Sequence, residues 1–419
     1  MGKLKDGVMK RGKTWSYVIR VIDPDTGLSK PKWVGGFATE DEAKEARDDA
    51  RRAARRGEYV DRSAITVKEY LGDWLDAHAL ETKPRTLAGY RWLIRQYVEP
   101  RIGRQRLQAI RPTTLTKLYQ DLLKGGRADG KPLARATVDK VHAVLRKAFN
   151  DAVKFEGVLS SNPADRAKRP RRTARPSVEV WNADELRLFL GLMANHRLRA
   201  FYRLAAYTGA RRGELLNLRW ADIDWNAPAV RIRGSVGIVE GERVEGTTKG
   251  GRERIVSIDP DTVRELKAHR RRQMADQAKV GDAWPDTGHV FTTGLGEPIY
   301  PDTATQLMGK VIRAYNTPDP NEPTKTHLPH ARLHDLRHVH ATLLLIAGVP
   351  MHVVAERLGH ADPAITLRIY AHVIRTHAAG VAGIFAAAAA QSDSANAEQN
   401  EDDETDEDDG PEASALVPS

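Results

Sequence analysis

A basic, proline-bearing interruption near the middle of the chain does most to limit what it can become. Between Asn162 and Val178 the sequence NPADRAKRPRRTARPSV holds three prolines and six Lys or Arg residues, with almost nothing to bury. Proline withholds a backbone donor and restricts the residue before it, so the stretch reads as a linker, placed at 166–178. A single continuous core is thereby excluded. The 419 residues divide instead into roughly two to four units, each with its own core.

Upstream, two periodicities follow one another. Thr14 to Asp23 alternates, with Trp15, Tyr17, Ile19 and Val21 on one face, and Pro24-Asp25-Thr26-Gly27 supplies a turn. Lys32 to Ala38 is a second strand. Thr39 with Glu42 three positions on predicts a capping box and a helix to about Arg56. Residues 1–62 are therefore a small β-β-α unit, rich in cations such as Lys13, Arg20 and Lys32. From Thr66 to Phe155 the apolar spacing turns helical, with breakers at Pro84, Gly103, Pro112 and Gly125–Pro132; four to five helices are expected within 63–165. Lys83, Arg85, Arg91, Lys140 and Arg146 lie on these helices and are candidate phosphate contacts.

Downstream, Asn182 predicts a helix cap, helices run through Tyr207 and from Arg211 to Leu218, and β-rich sequence follows at 229–258. The rest of 179–388 is mostly helical. Residues 389–419 read as an acidic, disordered tail, since such composition buries too little to offset its ordering entropy. Residues 391–419 hold eleven Asp or Glu and no Lys or Arg, so the formal +10 of the whole chain conceals +21 in residues 1–390. That excess suits a polyanion, because phosphates neutralised by Lys or Arg release condensed counterions. The absence of cysteine removes disulfides and thiolate chemistry and fits a reducing cytoplasm. No apolar run approaches the roughly 18–20 residues that span a bilayer.

Four distant segments hold what cleavage of a phosphodiester by a side chain requires: TGARRGELLNLRW at 208–220, Lys249 in EGTTKGGRERIVSI, LHDLRH at 333–338, and LGHADPAITLRIYAH at 358–372. In order, spacing and local sequence they resemble the signature of the tyrosine recombinase, or phage integrase, family, and the resemblance spans about 178–385. It implies a catalytic set of Arg211, Lys249, His334, Arg337, His360 and Tyr370, with Tyr370 the nucleophile and Glu214 supporting Arg211. Arg212 is read as a solvated or DNA-facing neighbour. The N-terminal unit and the bundle resemble the family's arm-binding and core-binding domains. The expected fold class is mainly α with small β elements: a β-β-α unit, a helical bundle and a mixed α/β catalytic domain.

Physical chemistry supports these roles. A free tyrosine has a pKa near 10, so at neutral pH only about a thousandth is phenolate. Attack on phosphorus needs a proton acceptor or a strongly cationic surround; His334 or the pocket itself could serve. Two guanidiniums, Arg211 and Arg337, suit the charge on the non-bridging oxygens. Lys249 is a reasonable general acid for the departing 5′-oxygen, and His360 a further donor. His334 and Arg337, three apart on a helix, can face one phosphate. Asp362-Pro363 reads as a cap and first turn, placing Tyr370 about two turns along.

A lone tyrosine on a helix is usually a packing residue, and Lys249 alone could be a surface lysine; the ordered company of the set argues otherwise. His327, His330, His334, His338 and His340 invite a zinc reading, which Arg337 opposes by repelling a cation. No metal and no cofactor are expected. The resemblance implies double-stranded attachment sites as substrate, a 3′-phosphotyrosyl intermediate, and a homo-tetramer exchanging strands through a Holliday junction. It further implies an integrase of a phage or integrative element, cytoplasmic and nucleoid-associated in a bacterial host. An excision factor and a host DNA-bending protein are the accessory partners such a role admits. Rival readings are a resolution recombinase, a topoisomerase, a DNA-binding regulator without the reaction and a metal-dependent nuclease.

Overall fold

In the computed structural model the described residues are 6–22, 27–56, 59–169, 180–248, 250–318, 326–360 and 362–377, with Gly383 and Ala386. The acidic tail, most of the linker and Lys249 lie outside them. The chain divides into two compact units, Met1–Pro176 and Ser177–Ser419.

The first unit opens with a three-stranded antiparallel sheet, β1 (Val8–Arg11), β2 (Thr14–Ile22) and β3 (Ser29–Phe37), in the order β1-β2-β3. Only two of these strands were expected: β1 is four residues of mixed polarity, too short to display a period of two. Gly12 and Lys13 form the turn into β2, with Gly12 at φ 64°. Tyr17 and Ile19 are buried with Val8 against Ala43 and Ala50 of α1 (Glu40–Arg55), while Trp15 and Val21 pack partly against the same cluster. Thr39 and Glu42 make the reciprocal cap at the start of α1.

Next come α2 (Val67–His78), α3 (Pro84–Leu93), a π-helical stretch at Ile94–Val98, α4 (Glu99–Ile102), α5 (Pro112–Gly125) and α6 (Arg135–Lys154). Tyr70, Trp74, Tyr119 and Phe149 fill their shared core. The buried polar edges are matched: Tyr70 Oη donates to the Ala148 carbonyl at 2.8 Å and Trp74 Nε1 to Asp151 at 2.8 Å. Part of the proline-bearing stretch packs on the bundle. Ala164 and Ala167 are buried in this core, and Asn162 Nδ2 caps the Arg146 carbonyl at 2.9 Å, so small side chains let a polar, proline-bearing segment lie flat on the bundle.

The second unit contains α7 (Ala183–Leu192), capped by Asn182 and Glu185 as expected, α8 (Arg199–Thr208) and a single-turn α9 (Arg212–Leu215). The helix expected from Arg211 to Leu218 is shorter because the backbone turns to lead into β4 (Ile223–Asp224). β4 pairs with β5 (Ala229–Ile232), which pairs with β8 (Arg254–Ser257); between them β6 (Gly234–Val239) and β7 (Glu242–Thr247) form a separate hairpin. α10 (Pro260–Val280), α11 (Pro301–Asn316), α12 (Asp335–Ile346), α13 (Met351–Leu358) and α14 (Pro363–His377) complete it. The main core joins Phe189, Phe201, Tyr202 and Phe291. A small satellite of Ala341, Val354, Leu358 and Tyr370 is contributed by α12, α13 and α14.

Candidate active site

The Thr208-Gly209 turn is where the site begins. Thr208 Oγ1 donates to the Leu204 carbonyl at 2.6 Å, and Gly209 ends α8 in the left-handed region at φ 63°. A Cβ on Gly209 would lie 2.7 Å from His340 and from Leu358, so both the backbone conformation and the close approach require glycine. The reward is contact: the Gly209 carbonyl accepts from Arg337 Nη1 at 2.7 Å, tying the end of α8 to α12.

Arg211 follows as the cap of α9. Its backbone N–H donates to Glu214 Oε2 at 2.9 Å and its Nη1 to Glu214 Oε1 at 2.8 Å. Arg254, at the start of β8, donates from Nη2 to the same carboxylate at 2.7 Å and from Nε to the Arg357 carbonyl at 3.0 Å. The Glu214 side chain is 0% exposed. Burial alone would raise its carboxyl, but hydrogen bonds and charge from Arg254 and Arg211 hold it below the usual range.

Arg337 is 3% exposed, and its Nη2 is buried with no hydrogen-bond partner among the described residues. Burial, reinforced by Arg211 and Arg254 and opposed by Glu214, pushes this guanidinium down to about 9, still cationic at neutral pH. Two guanidiniums, Arg211 and Arg254, therefore share one carboxylate, and a third, Arg337, lies near them without an ion pair to it. Such an imbalance, with a buried donor unspent, is matched by an anion and not by a metal.

Tyr370 is 2% exposed on α14, and its Oη lies 2.8 Å from His338 Nδ1. Burial raises the phenol to about 12 despite the opposing charge of Arg337. Burial also lowers the His338 imidazole, Asp335 opposing, so the ring is neutral at physiological pH. His334 does not touch the phenol. It precedes α12 as its N-cap residue and packs edge-on against His338 with centroids 5.3 Å apart. Of the two acceptors expected for the phenol proton, His334 or the cationic pocket, His334 makes no hydrogen bond to Tyr370 here and the turn before α12 sets it against His338. Burial, then His338 and Arg337, take His334 down to about 4. His360 follows Gly359, which is held at φ 69°, and its Nδ1 lies 2.7 Å from Thr366 Oγ1. Burial and the nearby Arg337 and Arg211 lower it to about 4 as well. The Asp362 cap is present, accepting from Ala364 N at 2.8 Å.

A cleft of about 1100 Å³ opens beside this cluster, lined among others by Arg211, Arg231, Arg252, Arg254, Arg357 and His360. Thr248 and Gly250, the neighbours in sequence of Lys249, line it too, although Lys249 is not among the described residues. Arg337 and Tyr370 are buried and do not line it.

Residues 179–377 match the phage integrase family, 8–50 an arm DNA-binding domain, and 66–123 the SAM-like N-terminal domain of phage integrases. An integrase of Mycobacterium phage FRAT1 is 30% identical over 309 residues, which cover 73% of this chain and 84% of the relative. The chain belongs to the phage integrase family. A XerC-like tyrosine recombinase of Caldanaerobacter subterraneus is 28% identical over 393 residues, covering 88% of this chain and 95% of the relative. In fold, the chain resembles the Tn1549 transposon integrase solved with a circular intermediate DNA, at TM-score 0.61 and 18% identity, covering 73% of this chain and 95% of that one. It also resembles lambda integrase, solved as a tetramer on a Holliday junction, at TM-score 0.53 and 17% identity, covering 87% and 95%. As a tyrosine recombinase of this family, the protein cleaves and rejoins DNA in site-specific recombination.

Within the phage integrase unit, five of the six expected catalytic positions, Arg211, His334, Arg337, His360 and Tyr370, come together with Glu214; the sixth is Lys249. Two residues were missed. Arg254 gave the signal of a cation in an alternating strand beside Lys249, and His338 that of lying four residues from His334, on the same helical face. Arg212 is corrected: it donates to the Pro301 carbonyl at 3.2 Å, Asp302 at 2.9 Å and Thr305 at 2.7 Å, pinning α9 to α11.

The other expected DNA contacts are scattered over the first unit. Lys13, Arg20, Lys83, Arg85, Lys140 and Arg146 are exposed; Lys32 and Arg91 are half-buried. Lys32 pairs with Asp61 and Arg146 with Asp165, each at 2.7 Å, and Arg20 Nε donates to Ser29 at 3.1 Å. No group of three or more potential ligands that could hold a metal ion occurs among the described residues, and none of their helices is long and apolar enough to cross a membrane.

Proposed function

We propose that this recombinase cuts DNA by attack of the Tyr370 oxygen on a backbone phosphorus held by Arg211 and Arg337, leaving a 3′-phosphotyrosyl link and a free 5′-hydroxyl. The observation that carries the reading is the arginine excess: Arg211 and Arg254 share Glu214, while Arg337 Nη2 is buried and unpartnered beside a buried tyrosine. A phosphodiester supplies the charge that would satisfy it, and its non-bridging oxygens gain negative charge as attack proceeds. Lys249 is assigned as the acid for the 5′-oxygen; its neighbours Thr248 and Gly250 border the cleft. His360, which also lines the cleft, adds a donor. Exchange of one ester for another conserves bond energy, so the reaction runs without nucleotide or metal.

The remaining assignments rest on the family. Residues 1–62 bind arm-type sites, 63–165 bind the core site, 166–178 form the basic linker, and 179–388 carry the chemistry. The active form is a homo-tetramer on two DNA sites, integrating and excising a phage or integrative element in the bacterial cytoplasm, at the nucleoid. An excision factor and a host DNA-bending protein complete the assembly. The integrases solved with DNA, including the lambda tetramer on a Holliday junction, support this reading. The test is a split between binding and cutting: Tyr370→Phe retains attachment-site affinity and loses all covalent complex. Cleavage surviving in that variant would refute the assignment.

A further inference from the structure

The structure assigns His338, the residue immediately after Arg337, as the group that takes the Tyr370 proton when the phenol attacks. The assignment rests on the reading of Tyr370 as nucleophile and adds the proton acceptor which that reading needs. Geometry carries it. His338 Nδ1 is 2.8 Å from Tyr370 Oη, within the reach demanded of a general base. His334 has no such contact and instead packs against the His338 ring. The imidazole and phenol rings lie 5.7 Å apart at 57°, so the two groups meet at their polar edges without stacking. α12 fixes both partners: one turn presents Arg337 to the Gly209 carbonyl and the next residue to the phenol.

The surroundings suit a neutral acceptor. His338 is faced by Tyr370 from α14, by Arg332, His334, Asp335 and Arg337 from its own segment, and by His360 from the turn after α13. Burial disfavours its protonated form in the resting site, whereas Asp335 favours it once a proton arrives. In the forward step the Oη–H bond breaks and its proton passes to Nδ1, while the Oη–P bond forms and the P–O5′ bond breaks. The leaving oxygen takes a different proton, from the amine assigned to Lys249. Rejoining returns the His338 proton to the phenol.

His338→Asn distinguishes a base from a strut, because the amide retains a polar atom near the Nδ1 position and cannot accept a proton at neutral pH. Wild type, His338→Asn and His338→Ala are compared on a nicked attachment-site duplex. A second duplex carries sulfur in place of the bridging 5′-oxygen, a leaving group that needs no acid. Affinity for the intact duplex shows that each variant is folded, and the wild-type adduct is mapped by mass spectrometry. The expected result is cleavage slowed by about a hundredfold to ten-thousandfold in both variants on both substrates, with the wild-type adduct on Tyr370. Recovery of His338→Asn to within threefold of wild type overturns the assignment in favour of a structural role. Loss of the deficit on the sulfur substrate overturns it in favour of an acid role. In both cases the nucleophile stands. An adduct on another residue overturns both readings together.

Discussion

Glu214→Gln tests whether one carboxylate holds the arginine cluster together. In the wild type Glu214 accepts from Arg211 Nη1 at 2.8 Å, Arg254 Nη2 at 2.7 Å and the Arg211 backbone at 2.9 Å, with its side chain 0% exposed. The amide keeps the shape, removes the charge and turns an NH₂ group toward a guanidinium donor. Removing one partner of a buried ion pair costs about 3–5 kcal/mol, because the remaining charge is left uncompensated. For a unit of about 150–250 residues each kcal/mol lowers Tm by about 2–4 °C, so the transition of the second unit should fall by roughly 6–20 °C in calorimetry of the full chain. The pH dependence has a definite sign. The carboxyl is held below its usual 4.5, so its contribution is present above that pH and is lost as pH falls through the lower folded value. The gap between wild type and variant should therefore narrow in acid. A Tm within about 2 °C of wild type at pH 7, or a gap that widens in acid, would refute the reasoning.

Gly209→Ala forces a side chain into the left-handed region, about 1–2 kcal/mol, and sets a Cβ 2.7 Å from His340 and Leu358; cleavage should fall much further than attachment-site affinity, read by gel shift. Arg337→Lys keeps the charge but loses the planar fork that reaches Gly209, and single-turnover cleavage should drop about 10²–10³-fold. His334, His340 and His360 are each taken down to about 4 in the folded protein from a usual 6.5. The unfolded chain thus binds protons first, and stability should decline as pH falls from about 6.5 to about 4 in denaturant titrations. Cleavage should proceed unchanged in excess chelator; loss of activity restored by a divalent ion would contradict the phosphate clamp.

What the sequence made legible follows from how local each signal is. The caps at Thr39, Asn182 and Asp362 depend on residues three or fewer apart and appear where expected. The proposed site positions could be singled out because their residue types, order and spacing resemble a family signature, although they come from the start of α9, from the start and first turn of α12, from α14 and from the turn after α13. Harder to read was anything decided at long range. Arg254 matters because β8 brings it to Glu214, forty residues away in sequence. Arg212 looks solvent-facing until α11 supplies Asp302 and Thr305. His338 and His334 share one helical face, and only the packing of α14 against α12 decides which meets Tyr370. The burial of Ala164 and Ala167 was not legible because it depends on the bundle surface beneath them, not on their own composition.

The most direct measurement is to trap the protein on a nicked attachment-site duplex, digest it, and find by mass spectrometry the peptide that carries the nucleotide. The account predicts one adduct, a 3′-phosphate on the oxygen of Tyr370, formed with no metal present. An adduct on any other side chain, or cleavage that leaves none, would contradict it.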